Sequence, residues 1–246
     1  MKVLVLGASG ATGRLVVDQL LSRDVEVIAI VRSLDSLPEA QNLRIILASV
    51  HDLGRAEMAI HVKGCDAVVS CLGHNLTFKG MFGKPRLLVT ETVQSVCEAI
   101  RANNAEKPVK VILMNTTGNT NRDIPEVPPL SQRIVVGIVR ALLPPHRDNE
   151  RAADYLRTEI GQNDKLIEWV AVRPDALTSE DVVTQYDVHI SPVRNAIFDS
   201  GPTSRINVGH FIVDLILNER TWLSWKGQMP VIYNRIYKLD LLNELI

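Results

Sequence analysis

A chain of 246 residues, 46% hydrophobic and 22% charged, has the length and composition of one globular domain able to bury a sizeable core. Its 27 Lys and Arg offset 28 Asp and Glu, leaving a net charge of −1. That balance excludes the basic stripe of a nucleic-acid binder and any like-charged tail.

Strand-like residues follow Met1 directly, with no leader pattern before them. Runs at Val3–Leu6, Val25–Val31, Leu43–Leu47, Ala67–Cys71 and Val109–Met114 are rich in β-branched residues and almost continuously apolar, as strands covered on both faces are. Amphipathic stretches at Gly13–Ser22, Leu53–Val62 and Pro85–Asn103 predict helices between them, hence βαβ units and a parallel sheet with right-handed crossovers. Asn115–Pro129, dense in Asn, Thr and Pro, reads as a loop. Leu130–Leu143 predicts an apolar helix stopped by Pro144-Pro145, suited to covering a pocket or meeting another subunit. Asn149–Ile160 predicts a further helix, and Ile167–Val172 a sixth strand ending at Arg173-Pro174-Asp175. A helix near Asn207–Asn218 and a short strand near Pro230–Tyr233 close the pattern. No repeat or linker divides it. Cys65, Cys71 and Cys97 lack ligand spacing and read as buried free thiols in a reducing cytoplasm. No run reaches the roughly 18 apolar residues of a membrane span. The expectation is a cytoplasmic protein, monomer or homodimer, with no nucleic-acid or membrane partner.

The first strand ends in Gly7-Ala8-Ser9-Gly10-Ala11-Thr12-Gly13, which opens the first helix. Gly7 permits a tight turn, Gly10 lets backbone N–H groups approach a pyrophosphate, and Gly13 allows the helix to pack closely on the strand. The phosphates would then face the N–H groups and positive dipole end of a helix, with Ser9 and Thr12 adding hydroxyls. Strand, glycines, helix and second strand follow one another within about 30 residues, the order that a dinucleotide site requires. This predicts one Rossmann-type domain over residues 1–246: α/β, a doubly wound parallel sheet in three αβα layers. Residues from about 115 to 246 would build its substrate side. NAD sites usually carry an acid roughly 20 residues beyond the glycines. Here the second strand ends Val31-Arg32-Ser33, whose guanidinium and hydroxyl suit a 2′-phosphate, with Ser36 in reach. NADP(H) is therefore favoured over NAD(H).

The spacing GxxGxxG, with IVRSLDSLP after the second strand, CLGHN after the fourth, MNTTG after the fifth, VAVRPDALTS after the sixth and RINVGHFIVDLIL near the end, resembles the short-chain dehydrogenase/reductase superfamily. Within it, the chain looks like the atypical branch of flavin reductase (biliverdin-IXβ reductase) and NmrA-like proteins. The resemblance implies that Cys71, Leu72, Gly73 and His74 line the nicotinamide side and that Ser49 lies near the adenine. It implies that Thr116 ends the fifth strand with a hydroxyl, and that Arg173, Pro174, Asp175, Ala176 and Leu177 border the nicotinamide. The chain departs from the branch in carrying Ala48-Ser49 where Gly-Asp is usual, and Asp175 where the reductase has His. Phe78–Arg86 also reads as an enlarged loop.

The superfamily's acid/base pair, a Tyr with Lys four residues on, is missing: Glu159, Ile190, Tyr237 and Leu241 follow the four tyrosines at that spacing. Reduction of a flavin, quinone or tetrapyrrole needs chiefly alignment and a dry site, because the cofactor carries the hydride. Thr116 and His74 are the candidate proton donors. His51, His61, His146, His189 and His210 show no metal spacing and read as structural. The function expected is NADPH-dependent reduction of a small flat conjugated acceptor. The alternative is a non-catalytic NADP(H) sensor of the NmrA-like type.

Overall fold

The apolar runs become strands because each supplies side chains to both faces of one sheet. In β1 (Lys2–Leu6), Val3 and Val5 enter one core while Leu4 and Leu6 enter the other; in β2 (Glu26–Val31), Val27 and Ala29 oppose Ile28 and Ile30. The pleat sends successive residues to opposite sides, so a strand buried on both must be apolar throughout. This computed structural model describes residues 1–74, 83, 85–127 and 129–235.

With β3 (Leu43–Leu47), β4 (Ala67–Ser70), β5 (Val109–Met114), β6 (Ile167–Pro174), β8 (Tyr186–His189) and β10 (Val231–Asn234), the sheet runs in the order β3-β2-β1-β4-β5-β6-β10-β8. Its pairings are parallel except β10 with β8, where Ile232 opposes Val188. β7 (Ala176–Thr178) and β9 (Pro202–Ser204) form a separate parallel pair. The chain steps outward from β1 to β3, then returns to place β4 on β1's other flank. Leu6 pairs with Ser70, so Gly7 and Cys71 leave the sheet side by side. At such a switch point the connections diverge and open a crevice beyond the carboxyl ends of the strands.

α1 (Ala11–Leu21), α6 (Arg205–Leu217) and α7 (Glu219–Trp225) cover one face through Val16, Leu20, Phe211, Ile212 and Trp222. α2 (Arg55–Val62), α3 (Leu88–Asn103) and α5 (Pro144–Tyr155) cover the other through Met58, Val93, Ile100 and Ala152. The result is the doubly wound, three-layer domain that the alternating pattern predicts. Among the described residues no helix is long and apolar enough to cross a membrane. Cys65, Cys71 and Cys97 are buried free thiols, and burial pushes Cys71 and Cys97 up to about 12.

Two features differ from the expectation. Pro144-Pro145 both ends α4 (Leu130–Leu142) and begins α5, because proline fits the first helical turn, where its missing N–H has no partner to lose. The helix expected from Asn149 therefore starts five residues earlier. β7, β8, β9 and α7 do not stand out in the sequence, since each spans only three to seven residues. Of the enlarged loop expected at Phe78–Arg86, residues 78–82 and 84 lie outside the described residues.

Candidate functional site

The glycine turn is built by close backbone approach. Gly7 has φ +72°, and a Cβ on it would lie 2.8 Å from the Cys71 carbonyl carbon. A Cβ on Gly13 would lie 2.1 Å from the Gly7 oxygen. Gly10 N donates to Gly7 O at 3.0 Å and closes the turn. Gly10 then caps α1 with extended backbone, without a side-chain cap and with no acidic residue in the first turn. A Cβ there would meet only the Gly7 oxygen within 4 Å, at 3.1 Å. The opening N–H groups of α1, at Ala11, Thr12 and Gly13, thus receive no carboxylate or hydroxyl from their own turn. A helix end so arranged fits a pyrophosphate by hydrogen bonding and by dipole.

A cavity of about 560 Å³ lies over this turn. It gathers Gly7, Ser9 and Gly10, Arg32 from the end of β2, Ser49 from the segment after β3, and Cys71, Leu72, Gly73 and His74 from the end of β4. Arg32 is exposed and has no carboxylate partner among the described residues. Ser33 is also exposed, and its carbonyl accepts from the Ser36 hydroxyl at 2.6 Å, so Ser36 is turned into its own turn. Val50, His51 and Asp52 also line the cavity. Asp52 brings a carboxylate three residues beyond Ser49, close to where the resemblance expects an acid. Sequence spacing missed it because a short helical turn, Val50–Asp52, carries it back to the cleft.

His74 is held from behind. Its Nε2 lies 2.8 Å from Asp148 Oδ2, and its side chain is 4% exposed. Asp148, fully buried on α5, also accepts from Val89 N at 2.8 Å, Thr90 N at 3.0 Å and the Thr90 hydroxyl at 2.6 Å. α3 has no side-chain cap of its own, so Asp148 serves as its cap from another helix. His74 is thereby a wall of the cavity tied to two helices. Its partner Asp148 had no signal in the sequence.

Beyond β5 and β6 the expected residues spread out. Thr116 is half-buried, and its Oγ1 accepts from Gly118 N at 3.3 Å. Arg173 is fully buried, with all five N–H groups engaged: Glu126 at 2.8 and 2.9 Å, Met229 O at 2.7 Å, Asn119 O at 2.8 Å and Ile190 O at 3.3 Å. Its guanidinium is committed to the fold and has no donor left for a cofactor, which corrects the expectation for its side chain. Pro174 O accepts from Thr117 N at 3.1 Å. Asp175 clasps the Thr117 hydroxyl at 2.9 Å and Gly201 N at 2.8 Å, while burial raises its carboxyl above the ordinary range. Ala176 and Leu177 pair with β9 instead of facing the 560 Å³ cavity.

A second cavity, about 750 Å³, lies between α4 and the loop after β5, lined by Gly118, Thr120, Leu130, Val136 and Arg140 among others. α4 presents Ile138 and Leu142 to solvent. His146, which reads as structural in the sequence, stands beside Gly118: the nearest atom to a Cβ built on that glycine is His146 Cε1, at 3.1 Å.

Comparison with known proteins agrees with this geometry. An oxidoreductase of Lactococcus lactis has the same fold at TM-score 0.68 and 18% identity, covering 100% of this chain and 96% of its own. A Rossmann-fold NAD(P)-binding family protein of Shigella flexneri matches at TM-score 0.64 and 21% identity, with 95% and 93% covered. A candidate NADH-flavin reductase of Streptococcus pneumoniae matches at TM-score 0.64 and 19% identity, with 96% and 100% covered. No curated protein matches the sequence significantly. The family described as NAD(P)H-binding matches residues 7–219, from the first glycine of the turn to the start of α7. An uncapped helix end, the glycines that open it and a cavity across the switch point are what such a family needs, and this chain belongs to it.

Proposed function

We propose that the protein is an NADPH-dependent reductase that passes hydride to a flat conjugated acceptor of the flavin, quinone or tetrapyrrole class. The observation that carries this reading is the pair of cavities flanking the ends of β4 and β5, one over the glycine turn and one beneath α4. A protein that only sensed the dinucleotide would need the first and not the second.

When bound, the reduced nicotinamide supplies the hydride. The α1 N–H groups hold the pyrophosphate, and Arg32 with Ser33 takes the 2′-phosphate. Cys71, Leu72, Gly73 and the Pro174 segment border the nicotinamide, with Thr116 supplying a hydroxyl nearby. His74 positions the wall between them through Asp148. The buried, uncharged Cys71 thiol keeps that wall apolar, which excludes water from the transfer.

Arg32→Ala is expected to weaken NADP(H) binding by about 1.5–3 kcal/mol, the range for a hydrogen bond to a charged group, and to leave NAD(H) nearly unchanged. Calorimetric titration of both cofactors reads the difference, and equal losses would remove the 2′-phosphate assignment. NADPH oxidation against a panel of flavins, quinones and tetrapyrroles tests the reaction itself. Tight binding without turnover on any of them would leave a sensor. In the same assay Tyr155→Phe should change little, because Tyr155 packs against the core around α3 and burial pushes its phenol up. A collapse of activity there would reveal a tyrosine acid.

A further inference from the structure

His146 occupies a position that packing alone does not explain. It lies in the first turn of α5, with its side chain 11% exposed. Its ring edge faces the loop that leaves β5. Measured from one point, the Cβ site of Gly118, His146 Cε1 is 3.1 Å away, His146 Nδ1 3.6 Å and Thr116 Oγ1 3.7 Å. The opposite nitrogen, Nε2, is buried with no hydrogen-bond partner among the described residues, and lies 3.7 Å from Glu150 Oε1 one helical turn on. Glu150 is fixed in turn by Arg140 of α4, whose Nε donates to Oε2 at 2.7 Å. Arg140 and Gly118 both line the 750 Å³ cavity.

A carboxylate 3.7 Å from one nitrogen of an imidazole, with the other ring edge against Gly118, itself a lining residue of the 750 Å³ cavity, places a titratable group beside the substrate side of the fold. The spacing is i, i+4 on a helix that follows β5, the same spacing as the Tyr and Lys pair that this chain lacks. From this geometry we infer that His146 is the proton donor to the reduced acceptor, its charged form favoured by the Glu150 carboxylate one helical turn on, with the Thr116 hydroxyl on the same loop as Gly118. The inference rests on the reductase reading above and deepens it.

The step balances simply. A bound reduced nicotinamide would supply a hydride, the hydrogen together with its bonding pair, so that the acceptor gains two electrons and the nicotinamide loses two. The negative charge gained is neutralised as the His146 N–H bond breaks, and solvent returns a proton to the ring. Among the described residues, the charges acting on the imidazole are Glu150 on its own helix and Arg140 from α4, and the Thr116 hydroxyl borders the same Gly118 site. Burial lowers the His146 pKa below the histidine value, with Arg140 acting in the same direction and Glu150 opposing. The acid form therefore grows as pH falls below neutrality.

The test compares wild type, His146→Asn and Glu150→Gln, using NADPH with FMN and with a water-soluble quinone between about pH 5 and 8. Wild-type kcat/KM should climb toward acid pH. His146→Asn should lower kcat by about 10²-fold or more and flatten that profile, with NADPH affinity by calorimetry unchanged. Independently of turnover, titration of carbon-13-labelled histidine by NMR should place His146 below about 6.5 and lower still in Glu150→Gln. An unchanged rate and profile in His146→Asn, beside an active wild type, overturns the inference and spares the reductase. A wild type inactive with every acceptor of the panel overturns both. A His146 midpoint that ignores Glu150→Gln refutes the pairing.

Discussion

Asp148→Ala is expected to lower stability more than any other single change in the site. The wild-type carboxylate is fully buried and accepts four hydrogen bonds, from His74, Val89 N, Thr90 N and the Thr90 hydroxyl. Alanine leaves two buried N–H groups at the start of α3 without an acceptor, and leaves His74 without its carboxylate. Removing one side of a buried polar pair costs about 3–5 kcal/mol, because the abandoned partners keep their desolvation penalty. For a domain of this size that is a fall in Tm on the order of 10 °C, at roughly 2–4 °C per kcal/mol. Asp148→Asn retains one acceptor oxygen and should lose less. Denaturant unfolding of the three proteins measures the order, and an alanine variant within about 1 kcal/mol of wild type would show that the cap from α5 contributes little. NADP(H) affinity should fall in parallel, because His74 lines the cavity.

Gly10→Val should have the opposite profile, with binding lost and the fold kept. Gly10 has φ −73° and ψ 164°, a conformation that valine adopts readily. The new Cβ would touch only the Gly7 oxygen, and the methyl groups beyond it would fill the space over the α1 N–H groups that a pyrophosphate needs. A loss of at least about three decades in affinity is expected, or roughly 4 kcal/mol, with the thermal midpoint within a few degrees of wild type. Gly13→Ala provides the contrast. Its Cβ would overlap the Gly7 oxygen at 2.1 Å, so it should destabilise the turn itself. Calorimetry and thermal unfolding of both variants separate the two roles. Near-native binding by Gly10→Val would move the phosphate site elsewhere.

The sequence by itself determined the alternation of strands and helices, the parallel sheet and the glycine turn. These depend on local period and contiguous residues: an all-apolar strand can only be covered on both faces, and Gly7 and Gly13 sit six residues apart around one turn. Arg32 was legible for the same reason, as the residue that ends β2. Tertiary structure alone decided what the charged side chains do. Arg173 reads as a cleft residue because it ends a strand, yet Glu126, 47 positions away, draws its guanidinium into the core. His74 meets Asp148 across 74 positions. His146 meets Gly118 only because the two prolines that end α4 also start α5 against the loop leaving β5. Spacing reports which residues share a face of one element. It carries no information on which element that face will meet, and the burial of an ion pair or the aim of an imidazole is set by that meeting.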